Sequence, residues 1–200
     1  MESERIKRES GSEQSLSLMN GWSRVGDPGN TAMSDGLGSV ATVFEIQKYP
    51  VTNEAYAWFL NELPLDERET RYTSLMADHF FGGIERDLST GKFFPKSGFA
   101  KKPVVFISWF DAQRFAQFLG EHDDEWNYRL PTRDEWLKAA AFRGKKGWAK
   151  YLTCEDHAPS QNPTDENSAN YYDPCVGWAL PAPHLADVDL YTHESYYGTV

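Results

Sequence analysis

The residues able to do chemistry are few and widely spaced. Two thiols, Cys154 and Cys175, stand 21 positions apart. Cys154-x-x-His157 has the spacing of half a zinc site, but Cys175 and His184 are too far apart to form a usual second half, so a structural zinc is not the reading. The histidines are His79, His122, His157, His184 and His193. No two lie four apart, as a pair sharing one helical face would. Each reads as an exposed loop histidine. Neither a G-x-S-x-G elbow nor a G-x-x-x-x-G-K-[ST] loop occurs, which removes the common serine-hydrolase and P-loop chemistries. Asp165, Glu166, Asn170, Asp173, Asp187 and Asp189 offer hard oxygen ligands of the kind calcium takes, but no EF-hand pattern orders them. On composition alone they read as a solvated acidic loop.

Trp109, Phe110, Trp126, Trp136, Trp148 and Trp178 could line a ligand groove. Large rings more often fill a core. Trp109 and Trp136 stand where two amphipathic helices begin, and both are expected inside.

The elements that would hold these residues can be placed by pattern. Val40–Ile46 (V-A-T-V-F-E-I) is β-branched and aromatic and predicts a strand that Pro50 closes off. Thr52 is an N-cap candidate. Tyr56, Phe59, Leu60 and Leu63 repeat at helical spacing until Pro64. From Leu65 to Lys102 no periodicity persists, and so long a connection is often functional. Val104–Ile107 predicts a short apolar strand. Ser108 then starts a helix with Asp111 in its first turn, Ala112, Phe115, Ala116 and Leu119 on one face, and Gly120 to close it. Thr132-x-x-Glu135 is a capping box, from which a helix runs through Trp136, Ala139, Ala140 and Phe142 to Gly144. Beyond that the chain is loop-like. The expectation is an α+β fold, rich in loops.

Composition sets the outer limits. The 200 residues suit one domain, expected over 22–200 after a disordered polar leader at 1–21. A net charge of −10 argues against a nucleic-acid surface and against docking on anionic lipid. The one basic cluster, Arg143 to Lys150, reads as a solvated loop. Met1 to Glu13 lacks the apolar core of a signal peptide, and no stretch is apolar enough to span a bilayer. The expected location is cytoplasmic with reduced thiols, or secreted or periplasmic if translation starts elsewhere.

Three blocks, in order, carry a resemblance: F-E-I-Q-K-Y-P-V-T-N-E-A-Y-A-W-F-L from Phe44, K-P-V-V-F-I-S-W-F-D-A-Q-R-F-A-Q-F-L from Lys102, and Y-R-L-P-T-R-D-E-W-L-K-A-A-A-F-R-G from Tyr128. With Asn170 in S-A-N-Y-Y and the run Ser195-Tyr196-Tyr197-Gly198, the chain resembles the formylglycine-generating enzyme, or sulfatase-modifying factor, family. The resemblance implies a variant of the C-type-lectin fold. It also implies a structural cation, such as calcium, on the Asn170 side chain and the Tyr171 carbonyl, though no acidic second half is recognisable around His184 to Asp187. Complete members bind copper(I) through two closely spaced thiolates in a C-terminal portion that this sequence stops short of, and neither Cys154 nor Cys175 matches them. No catalytic residue is therefore carried over, and copper is expected only in complete members. The expected function is a domain without oxidase activity as written. The alternatives are a lectin-like protein- or ligand-binding module and a fragment of a copper-dependent oxidase. The expected partner is a protein or peptide, with self-association through an incomplete sheet edge.

Overall fold

Three helices begin where side chains replace the missing hydrogen-bond partners of the first turn. The computed structural model describes residues 21–123 and 125–200. Among them are strands β1 (Trp22–Val25) and β2 (Phe44–Gln47), helices α1 (Asn53–Glu62), α2 (Leu65–Arg71) and α3 (Leu75–Asp78), and strands β3 (Ile84–Arg86) and β4 (Phe93–Pro95). Helices α4 (Trp109–Glu121) and α5 (Arg133–Ala141), a 3-10 turn (Gly144–Lys146), and strands β5 (Tyr172–Asp173) and β6 (Gly177–Trp178) follow. The class is α+β, and the three described sheets are two-stranded antiparallel hairpins or pairs. The leader expected at 1–21 lies, apart from Gly21, outside the described residues. The chain forms two compact units, one holding 50–130 and the other 21–49 with 131–200.

In the first unit, Thr52 Oγ1 accepts from the Ala55 amide at 3.2 Å and starts α1. Its apolar row then packs Tyr56, Phe59, Leu60 and Leu63 on Phe115, Phe118 and Leu119 of α4. Phe59 meets Phe115 and Phe118 nearly edge-on, at 5.2 and 5.1 Å between ring centres, the arrangement that ring quadrupoles favour. At Ser108 the hydroxyl accepts from the Asp111 amide (3.2 Å) while the Asp111 carboxylate accepts from the Ser108 amide (2.8 Å). The segment with no legible period, Leu65 to Lys102, contains two short helices and the β3–β4 hairpin. It is tied down by ion pairs: Arg114 to Glu67 (2.6 Å), Arg86 to Glu69 (2.8 Å) and Arg71 to Asp111 (2.9 Å). Gly82 has to be glycine, because a Cβ there would sit 2.3 Å from the Leu75 carbonyl oxygen.

In the second unit, β1 and β2 pair with Trp22 opposite Gln47 and Val25 opposite Phe44. The predicted strand thus starts four residues later than its β-branched run. The buried Asn30 side chain donates to the Gly38 carbonyl (3.0 Å) and accepts from the Val40 amide (3.0 Å), so Val40 serves a loop. Helix α5 opens on the expected capping box, with Thr132 and Glu135 exchanging bonds of 2.8 and 3.2 Å. It ends at Ala141, and Phe142 is its extended C-cap. Lys138 on this helix is 0 % exposed and donates to the Asp27 carbonyl at 2.8 Å. Gly38, at φ 83°, leaves room for the Trp148 ring, which a Cβ would meet at 2.2 Å.

Three expectations fail here. Gly120 does not close α4, which runs on to Glu121 with His122 as its C-cap. Val104–Ile107 is not a strand: only Pro103 bridges, to Thr52, and Phe106 adopts φ 62°, which breaks extended pairing. Trp109 and Trp136 are not core residues, being 60 % and 46 % exposed. The buried residues of α4 are Phe115, Ala116, Phe118 and Leu119, and those of α5 are Glu135, Lys138, Ala139 and Ala141. Trp136 lies off the α5 row, whereas Trp109 shares the face of Ala116 but sits in the exposed first turn of α4.

Candidate functional site

The β5–β6 hairpin of the second unit has only two residues per strand, so its own ladder cannot hold it. Side chains do. Gln161 Nε2 donates to the Tyr171 carbonyl (2.9 Å) and to the Gly177 carbonyl (2.8 Å), bracing both strands from one amide. The Ala179 amide donates to the same Tyr171 carbonyl at 3.2 Å. Tyr171 Oη donates to the Pro159 carbonyl at 2.8 Å, and Tyr191 Oη to that of Gln161 at 3.1 Å. At the turn, the Asp173 carboxylate accepts from the Cys175 (2.7 Å) and Val176 (3.0 Å) amides.

This framework displays two rings. Tyr172 and Trp178 are cross-strand partners, 55 % and 52 % exposed, with ring centres 5.2 Å apart. The His184 imidazole stacks on Trp178 at 4.7 Å and 13°. His184 is fixed in turn: its Nδ1 lies 2.7 Å from the Leu180 carbonyl oxygen, and its own carbonyl accepts from Asn170 Nδ2 at 3.0 Å.

Of the residues implied as cation ligands, Asn170 and Tyr171, Asn170 contacts His184. The Asn170 bond uses Nδ2 and not the Oδ1 that a cation would take. The Asn170 amide bonds His184 directly, and the Tyr171 carbonyl already takes two N–H donors. Among the described residues no three of His, Cys, Asp and Glu converge as a metal site. Of the Cys154/His157 half-site, Cys154 is buried and His157 exposed.

The thiols occupy unlike places. Cys154 is buried at φ 62°, and its Sγ accepts from the Tyr196 amide at 3.4 Å. Burial pushes its thiol above the ordinary range, outweighing the Tyr196 N–H and Arg143, which favour the thiolate. Cys175 is exposed on the β5–β6 turn, and both are free. Copper(I) needs paired soft thiolates. A buried, protonated thiol and one on an exposed hairpin turn do not fit that group.

The histidines also differ from expectation. Only His157 is exposed; His79, His122, His184 and His193 are partly buried. His193 places Nδ1 against the Glu166 carbonyl and Nε2 2.6 Å from that of Thr153, joining two loops. Gln161 and Lys138 were missed in the sequence. Lys138 shares a helical face with Glu135 and Ala139, a pattern that could have shown it, whereas nothing local marks Gln161.

These features define an α+β domain whose polar side chains brace loops and whose exposed rings sit on a fixed hairpin. The chain matches the sulfatase-modifying factor enzyme 1-like domain over residues 9–180 and belongs to that family. It is also similar to proteins named serine/threonine-protein kinase Pkn1. The protein of Chlamydia trachomatis is 32 % identical over 129 residues, covering 64 % of this chain and 18 % of the relative. That of Chlamydia pneumoniae is 28 % identical over 151 residues, covering 68 % and 23 %. The match to the Chlamydia caviae protein is 33 % over 93 residues, covering 46 % and 13 %. The chain thus spans less than a quarter of the length of these curated relatives. No helix among the described residues is long and apolar enough to cross a membrane.

Proposed function

We propose that this sulfatase-modifying factor domain is a recognition module for a protein or peptide segment and does not itself oxidise cysteine. One observation carries the reading: the thiol at Cys154 is buried, held protonated and hydrogen-bonded by Tyr196, while Cys175 sits on an exposed turn. Soft-metal chemistry requires deprotonated sulfur atoms that can converge. Short two-stranded sheets joined by long braced loops also suit the C-type-lectin variant that the family resemblance implies. That scaffold separates a stable body from loops that recognise.

The relatives add a context. In the chlamydial proteins a stretch like this one accompanies a chain named as a kinase. A kinase needs its partner held nearby, and we carry a recognition role over on that ground.

We further propose that direct bonds take the place of calcium here. The Asn170 Nδ2–His184 bond and the two N–H donors on the Tyr171 carbonyl support this reading, because they hold both residues in place by direct bonds.

The test is an aerobic assay of the chain on a cysteine-containing peptide with copper(I) added to the buffer. No aldehyde is expected. Catalytic aldehyde formation would overturn the reading.

A further inference from the structure

Between Tyr151 and Val200 the chain has eight Asp and Glu residues and neither lysine nor arginine, so most of the net −10 falls in its last 50 residues. Asp156 is matched by Arg143 and Glu194 by Lys48, both basic residues from earlier in the chain. Asp165 and Glu166 are exposed on a loop that continues directly from Gln161, and Gln161 clamps the aromatic hairpin. The Ser160–Ser168 bridge closes this loop at its base.

Tyr172 and Trp178 need an explanation that packing does not give. Both residues are about half exposed, yet three side chains, Gln161, Asn170 and His184, hold the hairpin, His184 by stacking on one face of Trp178. Fixing a flexible turn costs conformational entropy, and rings held still before binding spare a partner that cost. An indole face attracts a guanidinium or ammonium, and Asp165 and Glu166 supply complementary charge from the adjoining loop. The 151–200 segment itself offers no lysine or arginine to attract an acidic partner.

We propose that the Tyr172–Trp178 face, flanked by the 162–166 loop, binds a basic peptide segment of a partner protein, with an arginine or lysine stacked on Trp178. This rests on the recognition-module reading and names the class of partner. Recognition would be weak per contact and strongly salt-dependent.

The probe is a fluorescent peptide of alternating arginine and serine, titrated with the full chain at low salt and read by anisotropy. Saturable binding is expected, weakening as salt is raised. Trp178→Ala should weaken it about two- to fivefold, the size of one exposed cation–π contact. Asp165→Asn with Glu166→Gln should weaken it and flatten the salt dependence, while Trp109→Ala should leave it unchanged. Unaltered affinity in Trp178→Ala would overturn the proposal, as would binding no better than that of a serine–glycine peptide. A tiled array of neutral and acidic peptides separates the two readings. Capture there without arginine-peptide binding overturns this surface and keeps the module; silence across both overturns both.

Discussion

The side-chain amide of Asn170 donates to the main-chain carbonyl of His184 across 3.0 Å. These residues are 14 positions apart, and the bond joins the start of β5 to the loop after β6. With Gln161 it braces the hairpin through direct bonds, and on the proposed reading no ion is needed. Calcium at millimolar levels is therefore expected to leave the melting temperature unchanged. Gln161→Leu, which strips donors from the Tyr171 and Gly177 carbonyls, should destabilise by about 1–3 kcal/mol. Thermal melts with calcium and with chelator read both; a rise of several degrees with calcium would reinstate the cation.

The two thiols should separate kinetically. With a thiol-specific reagent at neutral pH, Cys175 is expected to react promptly and Cys154 only on unfolding, since burial both shields it and keeps it protonated. Thiol counting in native buffer and in denaturant checks this. Two prompt thiols would contradict it.

Tryptophans at helix starts should prove dispensable for stability. Trp109→Ser and Trp136→Ser are each expected to cost about 0.5 kcal/mol or less. Phe59→Ala, inside the α1–α4 contact, should cost about 3–5 kcal/mol. Urea unfolding of the three variants compares them.

Acid should act partly through Asp111. Burial tends to raise its pKa, but the Ser108 hydroxyl and amide together with Arg71 prevail, and it falls below the ordinary value. A carboxyl lowered on folding stabilises fully above its unfolded value, about 4, and that contribution is lost as pH falls through the folded value. Asp111→Asn should therefore be less stable than the parent at pH 6 and should lose less on going to pH 3. Urea midpoints at the two pH values read the difference, and parallel losses would contradict it.

Much of this was legible where local chemistry decides. Thr52, Ser108 and Thr132 start helices because each hydroxyl meets an amide three residues on, a relationship written within four positions of sequence. Trp109 and Trp136 were misplaced because apolar character at a helix's first turn does not say whether that position is covered. Val104–Ile107 has strand composition, but the left-handed backbone at Phe106 prevents pairing. The hairpin was hidden for a different reason. Two-residue strands leave no period, and Gln161, which braces it, acts across 10 and 16 residues.

The most direct test of the central claim is an anaerobic copper(I) titration of the full chain against a competing chelator, repeated on Cys154→Ser. The account predicts no stoichiometric site and no difference between the two proteins. One tightly held equivalent that disappears in Cys154→Ser would contradict it.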